Sequence, residues 1–245
     1  MKRIRSRTSL LVVLPLLCVI GGCATSRPPT IAHVHVGHAI TGAPQTPGEL
    51  GYFVIAEDRM LEARALVDGR LGAADSVDAT QDALVELNAV VNGDSDYSLA
   101  RAVDEAANHI EFAAQTDDAT RNVERFAVRF RQDVDGVLQR AGLVDLYVRD
   151  ALEPGSRSEL AQLTAEIARL VRAVEEGEDA DGSGTVGDAP GEAGMVGLRR
   201  ELDAMVERED PPYSTVDRWY LMNLVRLPGG EWIFRRMGSS AGAGY

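Results

Sequence analysis

The sequence predicts a mainly α-helical protein: an antiparallel bundle with a C-terminal helix-loop-helix, preceded by a short N-terminal extended segment. Three observations lead there. From Gly48 onward apolar residues recur at alternating spacings of three and four, the period of a helix with one buried face. The stretches between these stripes are short, which sets consecutive helices side by side and antiparallel. Hydrophobic residues make up 45% of the chain, enough for a sizeable core, and no tandem repeat of fixed length is present.

Taken in order, Thr25 to Thr30 with Pro28-Pro29 reads as a stiff tether, and Thr41 to Gly48 as a second Pro/Gly-punctuated stretch. Between them lies a strand-like run. The first helix carries Phe53, Ala56, Met60, Ala63 and Val67, the second Val77, Leu84, Leu87 and Val91, and the third Leu99, Ala102, Ala106, His109 and Ala113. The fourth has Val123, Phe126, Phe130, Val134 and Val137 in one stripe beside a row of Arg121, Arg125 and Arg129. Such a row forms a solvated or salt-bridged face, or else docks an anionic partner. Ser156 and Glu159 form a capping box for a fifth helix through Leu160, Leu163, Ile167 and Leu170. A sixth runs through Met195, Leu198, Leu202 and Met205 and stops before Pro211-Pro212. A last helix is expected after Ser214, with Trp219, Tyr220, Leu224 and Val225, up to Pro228-Gly229-Gly230, and Met237 to Tyr245 reads as a loose tail. The aromatic residues Trp219, Tyr220, Trp232 and Phe234 are expected to close the core.

The N-terminus has a different character. Lys2, Arg3, Arg5 and Arg7 precede an apolar run from Leu10 to Ile20, too short to span a bilayer, and Ile20-Gly21-Gly22-Cys23 follows. This pattern resembles the signal peptide and lipobox of bacterial lipoproteins. The resemblance implies that residues 1–22 are removed and that Cys23 is lipidated. Ala24, where an aspartate would imply inner-membrane retention, favours the periplasmic side of an outer membrane. Stable anchoring needs more than one acyl chain, each buried methylene contributing about 0.8 kcal/mol. The expected organisation is therefore leader 1–22, lipidated tether and histidine segment 23–47, bundle 48–153, helix-loop-helix 154–210, and last helix with tail 211–245.

Loss of the four leader cations takes the net charge from -13 to -17 and leaves 21 basic against 38 acidic residues. Nucleic acid is excluded as an expected partner. Lys2 is the only lysine and Cys18 the only cysteine besides Cys23, so the mature chain would have no lysine chemistry and no thiol or disulfide chemistry. Motifs for a nucleophile elbow, a phosphate loop, a dinucleotide fold or a zinc protease are absent, and no enzyme activity is expected. Paired acids such as Asp104-Glu105 and Glu57-Asp58 read as solvated helix faces.

Two constellations remain. Asp179-Ala180-Asp181-Gly182-Ser183-Gly184-Thr185-Val186 resembles the calcium loop of an EF-hand, which offers a hard cation oxygens at alternate positions and a glycine for the sharp turn. The resemblance makes Asp179, Asp181, Ser183 and the Thr185 carbonyl candidate calcium ligands. It departs at the twelfth place, which is Pro190 where the pattern has a bidentate glutamate, so Asp188 or Glu192 would have to substitute. The other reading is an acidic, Gly-rich linker. The second constellation is His33-Val34-His35-Val36-Gly37-His38. An extended segment would put His33 and His35 on one face, Gly37 would let His38 join them, and packing over the alanine groove of the third helix would add His109. Such a cluster suits copper, zinc or nickel. The chain is thus expected to bind divalent metal, calcium foremost, with a transition-metal sensor or carrier and a non-catalytic adaptor docking an envelope protein as the alternatives.

Overall fold

The computed structural model of the chain describes residues 30–93 and 97–209, and beyond them the backbone of three short strands. The expected leader and Cys23 lie outside the described residues. Among the described residues seven α-helices pack as a mainly α bundle: α1 (Ile31–Ile40), α2 (Tyr52–Ala65), α3 (Val77–Asn92), α4 (Leu99–Ala114), α5 (Arg121–Leu152), α6 (Arg157–Glu176) and α7 (Met195–Arg208). A π-helical turn, Leu66–Leu71, extends α2. At 32 residues α5 is the spine, about 48 Å long at 1.5 Å per residue. It packs against α3, α4, α6 and α7, while α4 also carries α1 and α2.

The predicted stripes form the core. Phe53, Ala56, Met60, Leu84, Leu87, Ala102, Ala106, Val134, Val137, Ile167, Leu198 and Leu202 are all buried. Phe130 stacks on Phe126 (centroids 5.0 Å apart) and meets Phe53 at 6.3 Å. Helix starts follow local chemistry: the hydroxyls of Thr30, Ser76, Ser98, Thr120 and Ser156 each accept the N–H three residues on. At α6 the box closes one residue early, because the Glu159 carboxylate accepts from Gly155 N–H at 2.8 Å.

Two expectations are corrected. The histidine segment is not extended but is helix α1. Its alternating valines mimic a strand, yet Thr30 caps it and the Asp118 carboxylate accepts from Ile31 N–H (2.7 Å) and Ala32 N–H (3.0 Å). Asp118 sits in the α4–α5 turn, so the first orphan donors of α1 are satisfied from 86 residues away. Likewise, the region expected to form a last helix contains strands β1 (Arg218–Trp219), β2 (Leu224–Arg226) and β3 (Trp232–Phe234). They pair antiparallel in the order β1-β2-β3, with Arg218 opposite Val225 and Leu224 opposite Phe234. Trp-Ile-Phe is a strand-forming run. The expected role of these aromatic side chains lies outside the described residues. Among the described residues, no helix is long and apolar enough to cross a membrane.

Candidate metal centre

Helical geometry re-sorts the histidines of α1. His35 and His38, three residues apart, share the face toward α4, whereas His33 points to the other side. There His33 Nε2 meets Glu209 Oε2 at 3.0 Å, both side chains being buried. Glu209 also accepts from the Thr120 hydroxyl (2.5 Å) and the Asn122 amide (3.0 Å). Burial alone would raise its pKa, but the hydrogen bonds from His33, Thr120 and Asn122 hold it below the usual carboxylate range. His33 thus ties α1 to the end of α7 and, among the described residues, lies outside the cluster of His35, His38 and His109.

His35 and His38 converge on His109 of α4. His35 Nδ1 and His109 Nδ1 are 3.2 Å apart, and one ligand nitrogen from each of His35, His38 and His109 lies within 4.8 Å of the others. The rings meet at 5.4 Å (His35–His109), 5.1 Å (His38–His109) and 6.1 Å (His35–His38), the last two edge-on. Two nitrogens bound to one tetrahedral zinc at 2.0–2.1 Å are separated by about 3.3 Å, so the His35–His109 edge already has ligand spacing. Burial, then the neighbouring His38 and His35, pushes the His109 pKa down to about 4. Burial and His35 also lower that of His38. His109 and His38 therefore stay neutral at neutral pH, the form that binds metal. His38 Nδ1 is buried without a hydrogen-bond partner among the described residues.

Tyr52 of α2 and Phe112 of α4, neither of them singled out in the sequence, frame this cluster. The Tyr52 ring stacks on His109 at 5.0 Å, with its hydroxyl accepting from the Gln45 amide at 2.8 Å. Phe112 lies 5.7 Å from His35 and 5.9 Å from His109 and is 49% exposed. The sequence signals for this site were His109, a histidine on an alanine stripe, and the His33-Val34-His35-Val36-Gly37-His38 run.

The acidic loop is built differently. Gly177 and Ala193 bridge its ends, and Glu178 N–H donates to Glu192 O at 2.9 Å. A Cβ on Gly177 or Gly194 would overlap the opposite backbone, so both closing positions require glycine, and Gly177 has φ 95°. Carboxylates of Asp179, Asp181 and Glu192 come within 4.8 Å of one another. All are engaged. Buried Glu192 accepts from Ala180 and Asp181 N–H through Oε1, at 3.0 and 3.2 Å, and from Gly187 and Ala189 N–H through Oε2, at 3.2 and 3.1 Å. Asp179 accepts from Ser183 and Gly184 N–H, at 3.0 and 2.8 Å, and Asp181 from Ser183 N–H at 2.8 Å. The Ser183 N–H bond leads those that lower the Asp181 pKa. For Glu192 burial pulls upward, and the donors from Ala189, Asp181 and Ala180 prevail to lower it. The Ser183 side chain also hydrogen-bonds Asp181 and its hydroxyl donates to Thr185 O at 3.3 Å, while Asp188 is exposed and outside the carboxylate group.

The loop is also clamped to α5. Arg129 donates to the carbonyls of Gly187 and Ala189, both at 2.8 Å, and to Asp133 at 2.5 Å. Asp133 accepts from Gly191 N–H at 2.7 Å, and Arg140 donates to Gly191 O (2.9 Å) and Ala193 O (2.5 Å). Gly136 has no room for a Cβ against the Gly191 carbonyl. One member of the expected arginine row thus serves a structural purpose. Comparisons with protein-family models, curated proteins and solved structures find no match for this chain.

Proposed function

We propose that this protein is a lipid-anchored envelope protein, on the periplasmic face of an outer membrane, that binds a transition metal through His35, His38 and His109. The supporting observation is the meeting of three imidazoles from two helices, His35 and His109 being 74 residues apart in sequence. An all-imidazole set without thiolate or carboxylate suits zinc, copper or nickel. The lipobox resemblance at Cys23 supports the location, and the lack of nucleophile or phosphate-loop motifs supports a binding role over catalysis. Zinc, copper or nickel at about 100 times Kd should stabilise the fold by about 2.7 kcal/mol. That is a rise in melting midpoint of about 5–10 °C for a domain this size. The double variant His35→Ala, His38→Ala should lose the rise, and a wild-type midpoint indifferent to all three metals sinks the reading.

A second reading, calcium at the acidic loop, is favoured by the gathered carboxylates of Asp179, Asp181 and Glu192. Millimolar calcium would then raise the midpoint, and Asp179→Ala with Asp181→Ala would abolish that rise. Calcium indifference in the wild type contradicts it.

A further inference from the structure

We infer that a metal held by His35, His38 and His109 keeps one coordination position open to a small external Lewis base, an anion of the size of azide or hydroxide. This rests on the trihistidine reading above. Among the described residues, no fourth His, Cys, Asp or Glu brings a ligand atom into the group. The neighbour with an oxygen, Tyr52, lays its ring along His109, and its hydroxyl is held by Gln45. On the outer side His35 and His38 are only partly buried. The rim there is Phe112 together with Ile31, which stands one turn before His35 and is 62% exposed. An apolar rim supplies no competing ligand and leaves an approach for a small molecule. Three protein ligands with a free place is the arrangement that distinguishes reactive or exchangeable zinc sites from closed structural ones.

Cobalt(II) substitution tests it, because the visible bands of cobalt report coordination directly. The purified protein is loaded with cobalt, desalted, analysed for metal and titrated with sodium azide. Retained cobalt whose bands shift saturably with azide is the expected result, with neither signal in His109→Phe. Retained cobalt with bands indifferent to azide overturns the open position while leaving the trihistidine site standing. No retained cobalt removes the site, and the open position with it.

Discussion

In the loop between α6 and α7 the Glu192 carboxylate accepts four backbone N–H groups. Between α1 and α4, by contrast, two imidazoles meet through their Nδ1 atoms and a third has a buried Nδ1 with no hydrogen-bond partner among the described residues. Both regions gather ligand-type atoms within 4.8 Å, yet the loop's carboxylates already accept from its own backbone N–H groups, and arginines of α5 hold its carbonyls. The histidine cluster is satisfied only in part: His35 and His109 share one hydrogen bond, and His38 Nδ1 has none among the described residues. Proximity of ligands says little until the hydrogen bonds they already make are counted, since a saturated carboxylate gains less from an ion than an unsatisfied buried nitrogen does.

The largest effect should come from breaking the loop's internal satisfaction. Asp133 is fully buried, and Asp133→Ala takes the carboxylate partner from Arg129 and leaves the Gly191 N–H without its acceptor. A loss of about 1–3 kcal/mol is expected in denaturant unfolding, with metal binding by the histidines retained in the folded fraction. A loss below about 1 kcal/mol would mean that the clamp does not order the loop.

The pH response of metal-free protein comes next. The folded His109 pKa is about 4, against an ordinary value of 6.5. Between those values the unfolded chain binds a proton that the folded chain refuses, so stability is full above pH 6.5 and falls as the pH drops toward 4. Melting midpoints measured with a chelator should show that slope, and His109→Phe should flatten it. An unchanged slope in the variant would assign the acid sensitivity elsewhere.

The smallest effect is expected at Asp188, an exposed loop acid outside the carboxylate group. Asp188→Asn should change stability by less than about 0.5 kcal/mol, with calcium present or absent. A clear calcium-dependent difference would restore Asp188 as a ligand.

The helical bundle was legible in the sequence because the stripes of α2 to α7 follow the 3.6-residue period. The site was legible in part. His109 stood out as a histidine among alanines, and His35 and His38 were picked as its partners, but the strand reading grouped His33 with His35. There Thr30 caps the helix locally and Asp118 adds a tertiary cap that local pattern cannot reveal, and the change of periodicity sends His33 to Glu209. The β-strands after Ser214 escaped for a related reason: an aromatic, β-branched run between Pro/Gly breaks fits a short helix or short strands equally well. The loop's glycines were legible as turn residues. That Gly136 and Arg140 hold the loop from α5 was not, since nothing in the local pattern of α5 announces a partner more than fifty residues on.

The most direct test of the trihistidine account is metal content. Protein prepared without a histidine tag is loaded with zinc or copper, desalted and analysed beside His109→Phe, whose aromatic ring keeps the buried position filled. The account predicts a single retained equivalent in the wild type and none in the variant. No retained metal in the wild type, or equal retention in both, would contradict it.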